Sequence, residues 1–302
     1  MTSEAIIEAY SETGLQLNPS KCEMVCSNID ILNEYPVFNE FKRVKKEDLT
    51  LLGAPVQKGK AVDKALDTKT TELKTAIGRL SLLPAHDVLC LLRNALAMSK
   101  LLYILRTAPR GGNPRLTIFD DALRQGLSSI LNVSLIDDQW LQASMPVQNG
   151  GLGVRSAGKL EFSSHFASAA STLPLQNAIL ANSCSTTSDP AVSEALDIWK
   201  TLEPVAPGNC FRKVWDNTVT SKIYEDLLSQ RNNNIDKARL KATGAAHAGD
   251  WLNATPILSL GLRLSDEAIR VAVGHRLGSS MCYPHTCVCD TQVDARGLRG
   301  LH

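Results

Sequence analysis

Apolar positions along this chain recur mostly at spacings of three and four, the pattern of helices with one buried stripe. The clearest run is 86–106. Val88, Leu89, Leu92, Ala95, Leu96, Ser99 and Tyr103 keep that spacing and the opposite side is also apolar, which predicts a largely buried helix. A second run, 115–131, points Leu116, Phe119, Leu123, Leu127 and Ile130 at a core. Residues 3–13, 61–83, 156–171, 191–203, 211–230, 235–248 and 265–277 also read as helices. Gly14 is expected to cap the first, and Pro84 to break the 61–83 helix. Ser265, Asp266 and Glu267 suit the start of the last helix, and Arg276 its end. Period-two alternation is scarce. Leu15-Gln16-Leu17, Glu23–Cys26 and Thr50–Val56 (TLLGAPV) read as short strands, the last turned by Gly53 and Pro55. The fold class expected is mainly α, with short β-strands confined to the first sixty residues.

Polar and glycine-rich stretches divide the chain. Arg110–Pro114 is a loop and Asn149–Gly153 a glycine turn. Ser183–Pro190 (SCSTTSDP) is the best linker and a candidate domain boundary. Four segments follow: 1–60 with the strands, 61–182 helical, 191–281 helical, and 282–302 with a Cys/His cluster.

Length and composition change this picture little. The 302 residues suit one or two domains, and 44% apolar with 21% charged content is ordinary for a soluble globular protein. A net charge of +1 excludes global attraction to nucleic acid, so such binding would need local basic patches. Candidates for phosphate contact are Lys21, Lys42, Arg43, Lys45 and Lys46, then Lys58 and Lys60, and Arg106 and Arg110. The bland alternative for each is a solvated charge. The N-terminal ten residues lack a leader-like apolar run, and no eighteen uninterrupted apolar residues occur. No membrane partner and no small-molecule substrate are therefore expected. The expected location is intracellular, with the eight cysteines as thiols.

The C-terminal stretch MCYPHTCVCD offers Cys282, His285, Cys287 and Cys289, four soft or borderline donors within eight residues. That donor set suits tetrahedral zinc. The alternative is a set of thiols at a frayed end. Asp120-Asp121 and Asp137-Asp138 could suggest a two-metal carboxylate site, but helix-surface or helix-start roles fit better, with Asp137 capping a helix through Trp140 and Leu141. Cys22 has no histidine near it in sequence and is expected to be buried structure.

GLQLNPSKCEMV followed by TLLGAPV resembles the reverse transcriptases of non-LTR retrotransposons. SKLLYILRTAP, DDQWLQASMPVQNGGLGVRSA and GDWLNATPILSLGLRLSDEAIRVAVGHRLG look like later parts of the same elements, in the expected order. The resemblance implies that residues 1–60 are the end of a polymerase palm, with Leu52, Gly53, Ala54 and Pro55 as a primer-grip-like turn. Residues 61–182 would be the thumb and connection, and Lys21 would lie near an incoming triphosphate. The family's catalytic aspartates, in an aromatic-x-Asp-Asp turn, lie upstream of the Gly-Leu-x-Leu-Asn strand. The chain is therefore expected to be the C-terminal piece of an RNA-directed DNA polymerase, with no catalytic residues of its own, inactive alone and retaining affinity for an RNA/DNA template-primer. Magnesium belongs only to the intact parent. Related elements carry Cys-x2-His-x-Cys-x-Cys-Gly and then Val-Asp-x-x-Gly-x-His-Gly-Leu-x-Cys. Val293, Asp294, Gly297, Gly300 and Leu301 match, while Asp290 and Arg299 depart. A non-enzymatic helical protein-interaction module derived from such an element is the alternative.

Overall fold

The computed structural model describes residues 3–16, 18–26, 36–108, 112–180, 193, 197, 199–200 and 212–297. The expected Ser183–Pro190 linker lies outside them, as do Leu17, Arg110 and most of the 191–203 helix.

Helix α1 spans Ser3–Glu12. Gly14 ends it at φ 75°, with Leu15 N–H donating to the Tyr10 carbonyl at 3.0 Å, a left-handed stop as expected. Leu15 and Gln16 form no strand. Instead Asn18 accepts from the Ser20 N–H and starts a 3₁₀ turn at Pro19–Lys21. Proline fixes φ for such a turn and asparagine caps it, which overrides the short alternation. Strand β1 (Glu23–Met24) then pairs in parallel with β2 (Lys42–Arg43). Strands β3 (Thr50–Leu51) and β4 (Ala54–Pro55) make a tight antiparallel hairpin.

Helices dominate the rest. They are α2 (Lys60–Leu80), α3 (Ala85–Leu91), α4 (Met98–Thr107), α5 (Arg115–Leu131), α6 (Asp137–Ala143) and α7 (Ala157–Leu180). After these come α8 (Arg212–Gln230), α9 (Asn234–Thr243), α10 (Asp250–Asn253) and α11 (Asp266–Leu277). Strands β5 (His285–Thr286) and β6 (Gln292–Val293) close the described chain. The mainly α class therefore holds, but strands are not confined to the first sixty residues: β5 and β6 form a hairpin near the other end.

The predicted 86–106 helix is interrupted. Leu92–Leu96 is a π turn closed by Ala97 N–H to the Leu92 carbonyl at 3.3 Å. Ala85–Thr107 taken together is long and apolar enough to cross a membrane. Here Val88, Leu89, Leu92, Leu101, Ile104 and Leu105 are buried in the main core, against α5, α7 and α11. The same core takes Val62, Leu66 and Leu73 from α2 and Ile269, Val273 and Leu277 from α11. Helices α2 and α5 approach closely at Gly126, where a Cβ would meet Ile77 Cδ1 at 2.5 Å. A smaller aromatic cluster joins α7 to α8: Phe166, Trp199 and Trp215 pack edge-to-face or tilted, with centroids 5.1–5.8 Å apart.

Asp121 is exposed on α5, and Asp137 and Asp138 start α6, as the helix-surface and helix-start reading expects; the departures are the burial of Asp120 and the capping of α6. Asp120 is buried, not at the helix surface. Its carboxylate accepts from Ser156 Oγ (2.6 Å), Ala157 N–H (2.7 Å) and Gly158 N–H (3.1 Å), which caps α7 from a neighbouring helix. Burial pushes the Asp120 carboxyl above its ordinary pKa, against those hydrogen bonds, which lower it. Asp137 is the first residue of α6 and not its cap. Gln139 Oε1 accepts from the Ile136 N–H instead, at 3.0 Å, and Asp137 pairs with Arg124 at 2.7 Å. Asp138 pairs with Arg231 at 3.3 Å.

Candidate nucleic-acid interface

The interface is built around the β3–β4 hairpin. Its two turn residues, Leu52 and Gly53, both have positive φ, 51° and 79°. Two-residue hairpins favour such turns because their twist matches the strands. Glycine adopts that region readily and leucine does not. Tyr103 of α4 donates its hydroxyl to the Leu52 carbonyl at 2.8 Å and so fixes the turn. Behind it, Ala54 and Pro55 are buried against α2 and α4. In front, Leu52 is 88% exposed and Leu51 66%, an apolar tip standing in solvent.

An open groove of about 860 Å³ lies beside this hairpin. Strand β2 and the residues after it bring Lys42, Arg43 and Lys45 to one wall. Helix α2 brings Lys60, Lys64 and Lys69 to the other. Gly53, Pro55 and Thr50 of the hairpin complete the lining. Six cations thus face two carboxylates, Glu23 and Asp48. Lys42 is held by Glu23 at 2.7 Å and Lys69 by Glu72 at 2.7 Å. Among the described residues Arg43, Lys45, Lys60 and Lys64 make no ion pair, and neither does the lining carboxylate Asp48, so the groove keeps an excess of positive charge.

The convergence is a tertiary effect. The parallel β1–β2 pair, sealed by Lys42 N–H to Cys22 O and Val44 N–H to Met24 O (both 2.9 Å), turns the basic run toward α2. Lys60 and Lys64 lie one turn apart on α2, so they share a face. Of the residues expected from sequence, Lys42, Arg43, Lys45, Gly53, Pro55 and Lys60 line the groove; Lys21, Lys46, Leu52, Ala54, Lys58 and Arg106 do not, and Arg110 lies outside the described residues. Lys64 and Lys69 were missed as groove residues, although helical spacing already placed Lys64 with Lys60.

A polar hub supports the helices behind. Arg276 is buried and donates to the carbonyls of Gly151 (3.0 Å), Val147 (2.8 Å) and Ala248 (2.9 Å). It thus ties the glycine turn to α11 and is not a solvated charge at a helix end. Burial, and then the nearby Arg93 charge, lower its pKa to about 10. Gln142, fully buried, donates to Gly150 O and Arg276 O and accepts from Arg239. A glutamine in the last turn of a short helix gives no sign of this in sequence.

The Cys/His residues sit in the β5–β6 hairpin. Cys287 N–H donates to Thr291 O at 2.8 Å near its tip, while Cys282 N–H donates to Ala295 O at 3.1 Å near its base. Cys282 Sγ contacts the Asp294 carbonyl (3.2 Å), and His285 Nδ1 contacts the Tyr283 carbonyl (2.9 Å). Tetrahedral zinc needs sulfurs about 2.3 Å from one point. Among the described residues no three such donors are gathered at one point. The Cys289 thiol, hydrogen-bonded to Thr291 and then Cys287, has its pKa lowered to about 7. Cys22 is half-buried, its sulfur against the Asn18 carbonyl at 3.3 Å.

Comparison of the chain with protein-family models, with curated proteins and with solved structures gave no match.

Proposed function

We propose that this chain binds nucleic-acid duplex through the groove between β2, the β3–β4 hairpin and α2, as the end of the palm and the thumb of a retrotransposon-type RNA-directed DNA polymerase. The observation that carries the reading is the convergence of Arg43, Lys45, Lys60 and Lys64 on one side of an exposed, tethered turn. Such a groove suits a phosphate backbone, which positions a duplex without reading its sequence. The chain contributes grip and no chemistry. Asp120, Asp137 and Asp138 are each engaged by structural partners and stand apart from the groove. The parent polymerase would supply the carboxylates and magnesium. Zinc at Cys282, His285, Cys287 and Cys289 is part of the same proposal.

The test is binding of a short RNA/DNA or DNA duplex across a salt series. If those four cations each neutralise one phosphate, log K falls against log salt with a slope of roughly −3 to −4. Binding that is absent at low salt, or indifferent to salt, overturns the reading.

A second reading, a helical protein-interaction module, is favoured by a different surface. Leu82, Leu258 and Leu260 are 66–85% exposed near the junction where Ala85 N–H meets Asp266 and Arg263 meets Asp87. Exposed apolar patches are a feature of contact surfaces. Pull-down of a protein partner by the native chain, lost on Leu258→Ser with Leu260→Ser, would favour it.

A further inference from the structure

We propose that Arg115 is a positioning residue of the duplex groove: it takes up the Asp63 and Asp67 carboxylates and so leaves Lys60 and Lys64 to meet phosphate. The inference rests on the nucleic-acid reading of that groove. Lys60 and Lys64 line the groove, but they also line a second open hollow of about 540 Å³, together with Asp63, Asp67 and Arg115. Residues three and four apart on a helix are neighbours. Asp63 lies three positions after Lys60, and Asp67 three after Lys64, so each lysine has a carboxylate within reach on its own helix. Left to themselves the two lysines and two aspartates would cancel, and Asp63 and Asp67, four apart, would repel each other.

Arg115, the first residue of α5, resolves both conflicts. Its Nη1 lies 2.9 Å from Asp63 Oδ2, and its Nε donates to both Asp67 carboxylate oxygens at 2.9 Å. A planar guanidinium presents its donors in a fixed fork, which suits two carboxylates at once. Asn113 braces the arrangement from the preceding loop. Its Nδ2 donates to Asp63 Oδ1 at 2.8 Å, and its Oδ1 accepts from the Arg115 N–H at 2.9 Å. The hydrogen bond to Asp67, above all, holds the Arg115 pKa above its ordinary value.

Three cations, Lys60, Lys64 and Arg115, thus stand against two carboxylates, and both carboxylates are committed to Arg115. Arg115 does not line the duplex groove itself, so its effect on binding is exerted through Asp63 and Asp67. Exposed ion pairs contribute little stability. The consequence of this network therefore falls on which charges reach the groove, and not on whether the helices fold.

The experiment makes two measurements on the full chain. The first needs no ligand: Lys60 and Lys64 are acetylated with a small N-hydroxysuccinimide ester and read by mass spectrometry, with exposed Lys46 as reference. In Arg115→Ala both lysines should pair with Asp63 and Asp67, and their reactivity should fall about two- to fivefold, the share that an exposed ion pair withholds. Adding Asp63→Asn and Asp67→Asn should restore it. The second is the duplex salt series, in which the magnitude of the slope should fall by about 1 to 2 in Arg115→Ala and return in the triple variant. Unchanged lysine reactivity in Arg115→Ala overturns the proposal. So does a triple variant that binds as weakly as Arg115→Ala, because Arg115 would then act on phosphate directly or through the fold. A native chain without salt-dependent duplex binding overturns the function and this role in it; the lysine reactivities, read without duplex, tell that failure from a failure of the Arg115 network.

Discussion

The Tyr103 hydroxyl donates to the Leu52 carbonyl at 2.8 Å, and this one bond links the buried helical layer to the exposed turn beside the basic groove. Tyr103→Phe keeps the ring and removes the bond. The expected loss is about 1 kcal/mol of stability, the usual net value of one such bond. Duplex affinity should fall with it, because the turn is no longer fixed against the groove wall. Chemical denaturation and a duplex titration read the two effects separately.

Leu52 itself holds a left-handed backbone with nothing packed on its side chain. Leu52→Gly should therefore stabilise the fold by about 1 kcal/mol, the cost that left-handed backbone imposes on a residue with a Cβ. A fall in the denaturation midpoint would show that the leucine side chain contributes packing after all.

Charge reversal separates groove from bystander lysines. Lys64→Glu should reduce the magnitude of the salt slope by about 1, the contribution of one phosphate contact. Lys46→Glu, outside the groove, should leave affinity within about twofold, since a solvated charge at a distance is screened. Equal effects from the two substitutions would mean that only net charge matters.

Asp120 bridges α5 to the first turn of α7. Asp120→Ala strands the Ala157 and Gly158 N–H groups and the Ser156 hydroxyl together. The expected cost is about 1–3 kcal/mol, with α7 loosening first in hydrogen exchange. Its raised pKa gives a signed pH effect. Burial disfavours the ionised form, so this term favours folding most below the ordinary carboxylate range and weakens as pH rises through the folded value.

Asp236 behaves in the opposite sense. Burial pushes its carboxyl up, but Arg296 (2.6 Å) and Arg239 (3.4 Å) more than offset that, and the net shift is downward. The stability from this term is full above the ordinary aspartate pKa near 4 and is lost as pH falls through the lower folded value. Arg296 anchors the base of the Cys hairpin, so acidification should release that hairpin from α9. Asp236→Asn should flatten the acid limb of a stability–pH curve; an unchanged limb would exclude the pair as its source.

The sequence by itself determined the helical class and most helix positions, because a 3.6-residue stripe and end signals are local. The 115–131 run matches α5 residue for residue, and Ser265 caps α11 through the Ala268 N–H as expected. The Thr50–Pro55 turn was legible for the same reason. Tertiary structure alone decided the groove. Lys45 and Lys64 are nineteen positions apart and meet only because β1 pairs with β2 and the hairpin packs on α2. It also decided that Asp120 faces inward to cap another helix, since a carboxylate on a helix looks the same in sequence whether it meets water or N–H groups.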